Sequence, residues 1–132
     1  MKNPWSVRVL LCLKKSKLNS FVKVWQIFLG IEAPVFFPKG LMLPHPIGIV
    51  ISDNAVINED CIVYQNVTIG EDSEGKAPVI GKGVIIYSGA CVIGNIEIGE
   101  FSIIGANAVV LQSVPAYSVA VGVPAIFFPR KN

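Results

Sequence analysis

Aliphatic residues recur at every sixth position through most of this chain, a period that belongs to neither an α-helix nor an ordinary strand. Ile31, Phe37 and Leu43 keep it, as do Ile51, Ile57, Val63 and Ile69, and again Ile80, Ile86, Val92, Ile98, Ile104 and Val110. Four residues after most of these stands a small or aliphatic partner: Val35, Leu41, Ala55, Cys61, Val67, Val84, Ala90, Ile96, Ser102, Ala108 and Val114. Polar residues fall between them. A self-similar period of this kind predicts a hexapeptide parallel β-helix, in which each repeat is one short strand plus a corner and three repeats close one triangular coil. The first residue of each repeat must point into a narrow prism and the fourth after it must fill the space beside a corner, so both are apolar and the second is usually small. Coils stack at strand spacing, roughly 4.8 Å, so that backbone hydrogen bonds run from coil to coil and the inward residues form ladders. Gly70, Gly81, Gly99 and Gly105, each just after an inward residue, and Gly94 relieve a tight backbone. The predicted class is therefore all-β, a parallel β-helix of triangular cross-section, left-handed as in the known version of this fold and unlike the usual right-handed crossover.

Residues 1–30 follow a different pattern. Apolar positions such as Trp5, Leu10, Leu18, Phe21, Trp25 and Phe28 alternate irregularly with Lys2, Arg8, Lys14, Lys15, Lys17 and Lys23, which predicts one or two amphipathic helices. Such a segment caps the exposed edge of an end coil, or lies on an anionic membrane surface. No small-x-small cleavage site follows its short, interrupted apolar run, so it does not read as a signal peptide. The domain expectation is a helical cap over residues 1–30, a β-helix over 31–127 and a basic tail over 128–132.

The chain has 132 residues, enough for one domain, and although 52% of them are hydrophobic no unbroken apolar stretch reaches the 18 or so needed to span a bilayer. Eleven basic against nine acidic residues leave a formal charge of only +2, which gives no electrostatic basis for nucleic-acid binding. Cys12, Cys61 and Cys91 are odd in number and widely spaced, and Cys61 falls at an inward small-residue position. They read as reduced thiols of a cytosolic protein. The Asn66-Val67-Thr68 sequon lies inside the ladder and carries no weight.

The repeat is broken twice. Between Leu43 and Ile51 the spacing is eight, which forces two extra residues out of the corner around Pro44, His45 and Pro46; His45 is the single histidine. Between Ile69 and Ile80 the spacing is eleven, which extrudes a polar loop from Glu71 to Val79 containing Asp72, Glu74, Gly75 and Lys76. Loops projecting from a rigid scaffold are where chemistry is placed.

The run Leu43-Pro44-His45-Pro46-Ile47-Gly48-Ile49-Val50-Ile51, followed by Gln65-Asn66-Val67-Thr68-Ile69-Gly70, resembles the serine acetyltransferase branch of the hexapeptide-repeat acyltransferases. Gly94-Asn95-Ile96-Glu97-Ile98-Gly99, Ile104-Gly105-Ala106-Asn107-Ala108-Val109-Val110 and Gly122-Val123-Pro124-Ala125 extend the resemblance over about residues 31–127. It implies a trimer that moves acetyl from acetyl-CoA to a hydroxyl, with sites between neighbouring subunits. His45 matches the family's catalytic histidine. A hydroxyl is a poor nucleophile until its proton leaves, and a neutral imidazole, with an ordinary pKa of about 6.5, suits that task. For acetyl-CoA the resemblance implies Ser88 and Gly89, Ala106 and Asn107, and Gly122, where small residues and backbone would let the pantetheine arm lie like an added strand; Arg130 and Lys131 would meet the nucleotide phosphates.

The chain also departs from the serine enzymes. Their second active-site histidine and the arginine before it align with Ala77 and Lys76, the acidic residue before the catalytic histidine is Pro44, and of the residues near the expected orienting aspartate only Glu32 is acidic. Their long amino-terminal helical domain is missing from this sequence. Similar short proteins acetylate sugar hydroxyls of bacterial surface polysaccharides, and Tyr64, Gln65 and Asn66, with Asp72, Glu74 or Lys76 from the loop, are candidates to hold such an acceptor. The expectation is thus a cytoplasmic O-acetyltransferase acting on a sugar, with L-serine as the alternative acceptor. A zinc hydratase of the same fold needs three protein ligands, which one histidine and no clustered cysteines do not supply, so no metal is expected. A non-catalytic scaffold is the third reading. The histidine bulge and the loop leave from different corners, and a cyclic homotrimer would bring them together across subunit boundaries.

Overall fold

The computed structural model describes residues 24, 26–28, 30–33 and 37–131. Val24 and residues 26–28 are helical, and the remainder of the amino-terminal segment predicted to cap the coil lies outside the described residues. No helix among the described residues is long and apolar enough to cross a membrane.

From Val50 onward the chain winds as a triangular parallel β-helix. The strands are β1 (Val50–Ile51), β2 (Val56–Ile57), β3 (Ile62–Val63), β4 (Thr68–Gly70), β5 (Val79–Ile80), β6 (Ile85–Ile86), β7 (Cys91–Ile93), β8 (Glu97–Ile98), β9 (Ile103–Ile104), β10 (Val109–Val110), β11 (Ser118–Gly122) and β12 (Ala125–Pro129). Every third strand falls in the same sheet. Face 1 is β1-β4-β7-β10, face 2 is β2-β5-β8 and face 3 is β3-β6-β9-β11-β12. All pairs are parallel except β11 with β12, an antiparallel hairpin that returns the chain along the edge of face 3. Isolated bridges from Glu32 to Val50 and from Met42 to Ile62 continue faces 1 and 3 into an earlier coil.

The register places the sixth-position residues in line. On face 1 Ile51, Ile69, Val92 and Val110 are successive Cα partners, and Ile57, Ile80 and Ile98 do the same on face 2. Val63, Ile86, Ile104 and Ala120 line face 3. All are buried except the half-buried Ile57. The corner partners Cys61, Val67, Val84, Ala90 and Ala108 are buried with them, which is the packing the repeat predicts. Ser102 occupies one corner position as a polar residue because its hydroxyl donates to the Pro115 carbonyl at 2.8 Å and accepts from the Ser118 N–H at 3.2 Å.

Three local readings change. Glu32 bridges Val50, so Ala33 and not Ile31 stands opposite the inward Ile51, and Ile31 falls with Ile49 at the corner position. Val114, which the period makes a corner partner, is instead the bridge partner of the inward residue Ile98, so the last turn before β11 is two residues short. Phe128 and Pro129, read as tail, pair in register with Val119 and Ser118 and belong to β12. Cys61 and Cys91 are free thiols. The Cys61 Sγ lies 3.1 Å from the Gly81 carbonyl, and burial pushes its thiol above the ordinary range.

Close coil stacking sets a severe steric limit at Gly99. Its N–H donates to the Val114 carbonyl at 2.8 Å, and a Cβ there would collide with the backbone of Pro115 and Ala116. At Gly70 a Cβ would meet mainly the end of the Ile93 side chain, which can turn aside. Gly99→Ala is therefore expected to lose about 3 kcal/mol and Gly70→Ala about 1 kcal/mol or less, compared by urea unfolding at one protein concentration.

Candidate active site

The corner between face 3 and face 1 collects most of the candidate residues. In successive coils it is formed by residues 44–48, 64–67, 87–90 and 105–108. The main chain takes the left-handed region once in each turn, at Gly48, Asn66, Gly89 and Asn107, with φ of 63°, 58°, 72° and 57°. The alternation of glycine with asparagine is a packing requirement. A Cβ on Gly48 would strike the Asn66 carboxamide, and one on Gly89 would strike that of Asn107. Asn66, Gly89 and Asn107 thus have a structural reason for their identity, whatever else they do.

His45 lies at the head of this corner, exposed, between the prolines that bend the chain out of the coil. Its carbonyl accepts the Ile47 N–H at 2.9 Å. Among the described residues its imidazole has no hydrogen-bond partner and its ring contact is Tyr64, with centroids 6.4 Å apart and planes at 46°. Tyr64 is in turn stacked on Tyr87 at 5.1 Å and 16°. Beside Tyr64 the Gln65 Oε1 is buried with no donor. An orphan acceptor of this kind costs about 1–3 kcal/mol unless a ligand supplies the hydrogen.

Between coils the corner is joined by hydrogen bonds from Asn66 N–H to Ile47 O at 2.9 Å, Gly89 N–H to Gln65 O at 3.1 Å and Asn107 N–H to Ser88 O at 2.9 Å. The Ser88 and Ala106 N–H groups donate to no acceptor among the described residues, one coil above the other on the same edge. They are available to a ligand's carbonyl oxygens. Gly122, with φ of 100°, ends β11 at the last turn of this corner.

Other predicted residues are elsewhere. Because β12 runs back along β11, Arg130 returns to the corner between faces 2 and 3, where its N–H donates to the Tyr117 carbonyl at 2.8 Å. There it lines a depression of about 560 Å³ with Tyr117 and Phe127, and the exposed Lys131 follows it; neither basic residue shares the His45 corner of its own chain. Glu32 lines a separate depression of about 300 Å³ with Val50, Ser52, Asp53 and Glu71, and makes no hydrogen bond to His45. Among the described residues no group of three potential ligands could hold a metal ion.

The extruded loop leaves the corner between faces 1 and 2 and is folded on itself. Asp72 Oδ1 accepts the N–H groups of Glu74 at 2.9 Å and Lys76 at 3.0 Å, while Asp72 N–H donates to the Lys76 carbonyl at 2.9 Å. Lys76 Nζ pairs with Glu74 Oε2 at 2.7 Å on the surface. Glu71, which the sequence reading passed over, ties the loop to the previous coil by accepting from the Ser52 hydroxyl and from Asn54 Nδ2. Tyr87 was passed over as well. Its signal was present, since Tyr64 and Tyr87 each follow an inward residue, Val63 and Ile86, that are partners in adjacent coils.

The Lys76 N–H is the main cause that holds the Asp72 carboxyl below the usual carboxylate range; the Glu74 and Asn95 N–H groups and the Lys76 charge add to it, against the opposing cost of desolvation. A depressed folded pKa means that the loop's contacts persist above the ordinary carboxylate pKa and fail as pH falls through the folded value. In an acid titration followed by NMR, the main movement of the Lys76 amide shift should come only below the ordinary carboxylate range, and Asp72→Asn should abolish that transition.

A family model described as bacterial transferase hexapeptide (six repeats) matches residues 77–112. The chain is 45% identical over 89 residues to a serine acetyltransferase of Haemophilus influenzae, covering 65% of this chain and 33% of the relative. It is 41% identical over 107 residues to a serine acetyltransferase of Staphylococcus aureus, covering 77% of this chain and 50% of that protein. The chain thus spans a third to a half of the curated relatives it matches. Among solved structures, a serine acetyltransferase in complex with CoA superposes with a TM-score of 0.71 at 34% identity, over 93% of this chain and 54% of that one. The shared coil is the left-handed parallel β-helix. With the repeat, the three-faced prism and these likenesses agreeing, the chain carries the hexapeptide repeat of bacterial transferases and is similar in sequence and fold to serine acetyltransferases.

Proposed function

We propose that this chain is an acetyl-CoA-dependent O-acetyltransferase with His45 as its general base and L-serine as its acceptor. The observation that carries the reading is the 3–1 corner itself, which sets an exposed imidazole above two unpaired main-chain donors, Ser88 and Ala106, on one edge. The pantetheine amides of acetyl-CoA would pair with such donors as an added strand does. A solved relative is a complex with CoA, which supports the same co-substrate here.

The neutral imidazole of His45 takes the acceptor's hydroxyl proton as the oxygen attacks the thioester carbonyl. Collapse of the tetrahedral intermediate expels the CoA thiolate, to which the imidazolium returns the proton, and the acetyl ester remains on the acceptor. Gln65 Oε1, buried without a donor among the described residues, would accept a hydrogen bond in this reading once substrate binding opens the corner to it. The curated relatives favour L-serine over the sugar that the sequence reading ranked first. A carbohydrate hydroxyl is the second reading, and the loop favours it. Lys76 is paired with Glu74, Asp72 is engaged by the loop's own amides, and Ala77 stands where the serine enzymes place a histidine, so a clamp for an amino acid's carboxylate is not assembled within one chain.

A homotrimer completes this proposal. The His45 corner and the loop corner bound the two edges of face 1, whose outward residues Val50, Thr68, Cys91 and Val109 are small. Turning face 1 toward a threefold axis would set the His45 corner of one subunit beside the loop of the next. Light scattering is expected to give the mass of three chains, and an active monomer would break this part of the proposal.

Thiol release from acetyl-CoA, measured with L-serine and with a panel of sugars and nucleotide sugars, tests the activity. Release with L-serine should fall at least about 100-fold in His45→Ala while the circular dichroism stays unchanged. Release with a sugar alone would select the second reading. No release with any acceptor, together with no acetyl-CoA binding by calorimetry, would leave a non-catalytic scaffold.

A further inference from the structure

We propose that Tyr64, braced by Tyr87, is the positioning residue that sets the orientation of the His45 ring, an inference that rests on the reading of His45 as the general base. Where a carboxylate holds a catalytic imidazole, it fixes both the tautomer and the ring plane. Among the described residues no carboxylate does so: the His45 ring makes no hydrogen bond to them, and Glu32 belongs to a depression that His45 does not line. The main chain of His45 is constrained by Pro44, Pro46 and the hydrogen bond from Ile47 N–H, so the side chain's rotamer about χ1 and the ring's rotation about its broad terminal torsion are the freedoms left to control.

Tyr64 is the group that controls them. Its centroid lies 6.4 Å from that of His45 with a 46° tilt, within the range in which aromatic rings attract each other. Tyr64 is itself held, because its ring is stacked on Tyr87 at 5.1 Å and 16°. The two tyrosines stay in line because they sit at equivalent positions of adjacent coils, with Tyr64 N–H bonded to Ile86 O at 3.0 Å and Tyr87 N–H to Ile104 O at 2.9 Å. The β-helix thereby transmits its rigidity through two rings to an imidazole on its surface. Ring contact restricts rotation without choosing a tautomer, so the phenol hydroxyl of Tyr64 has no part in it.

The single histidine makes the test direct, because protein labelled with ¹³C at histidine Cε1 gives one Hε1 resonance. In the full-length protein the Tyr64 ring current should displace that resonance, Tyr64→Leu should return it toward the free-imidazole position, and Tyr64→Phe should leave it in place. With acetyl-CoA and the acceptor found by thiol release, Tyr64→Leu should lower kcat roughly 10- to 100-fold with KM for acetyl-CoA unchanged, and Tyr64→Phe should restore it. Tyr87→Leu, which leaves Tyr64 in place but unbraced, should give an intermediate shift and rate. An unchanged Hε1 resonance in both Tyr64→Leu and Tyr87→Leu overturns the proposal. So does a Tyr64→Phe variant as slow as Tyr64→Leu, since the hydroxyl would then be the working group. Should His45→Ala retain full turnover, the general-base reading fails, while the resonance still reports whether Tyr64 orients the ring.

Discussion

Every coil of this protein must place an apolar side chain on each of three inward positions, directly over the one before, while its backbone bonds to the coils on either side. Ile51, Ile69, Val92 and Val110 are eighteen residues apart where the period is kept and twenty-three apart where the loop is inserted, yet they remain Cα partners. The ladder tolerates no shift of register, because a displacement of one residue would turn the inward residues outward. Extra residues can therefore leave only at corners. The histidine bulge and the extruded loop are both corner insertions, and the rigid prism between them fixes where each starts.

The same constraint decides residue identities that look functional from sequence. Gly48, Asn66, Gly89 and Asn107 turn the chain in the left-handed region, and each asparagine carboxamide occupies the space that its glycine neighbour leaves. Asp72 is a loop residue whose carboxylate is used to close that loop, and Glu71 joins it to the prism. What these residues leave unexplained is more informative for chemistry. Among the described residues the Gln65 oxygen is buried without a donor, and the Ser88 and Ala106 amides, like those at the equivalent turn positions of other corners, are left open on the outside of the coil.

Within one chain the candidate site is divided. His45, Tyr64, Gln65, Ser88 and Ala106 share one corner, the loop occupies a second and Arg130 a third. Triangular geometry makes such a division unavoidable, since residues on different corners are separated by a full face of the prism. A site that draws on more than one corner has to be assembled between subunits. That is the physical case for the proposed trimer, and it is also the reason acceptor choice does not follow from a single chain.

The coil is legible in the six-residue period of the chain. Between Leu43 and Val110 its period named the inward ladders, the corner partners and both interruptions, because a side chain that must enter a narrow prism at fixed spacing leaves its mark at every repeat. His45 was legible for the related reason that a proline-flanked break in a strict pattern stands out. The end of the coil was not. Val114 moved from corner to inward register, and Phe128 and Pro129 entered a hairpin, because the final turn has no following coil to hold it to the period and closes instead by antiparallel pairing. Which residues meet across coils is set by folding. Tyr64 and Tyr87 are twenty-three residues apart in a chain whose coils otherwise take eighteen, so their stacking depends on the loop between them being excluded from the register. Arg130 was separated from Ser88 and Asn107 by the reversal of β12, a direction that composition and period do not encode. Periodicity records what each residue must do toward the axis of the prism; contacts along its corners arise from how coils of unequal length are laid upon one another, and that is settled only when the chain is folded.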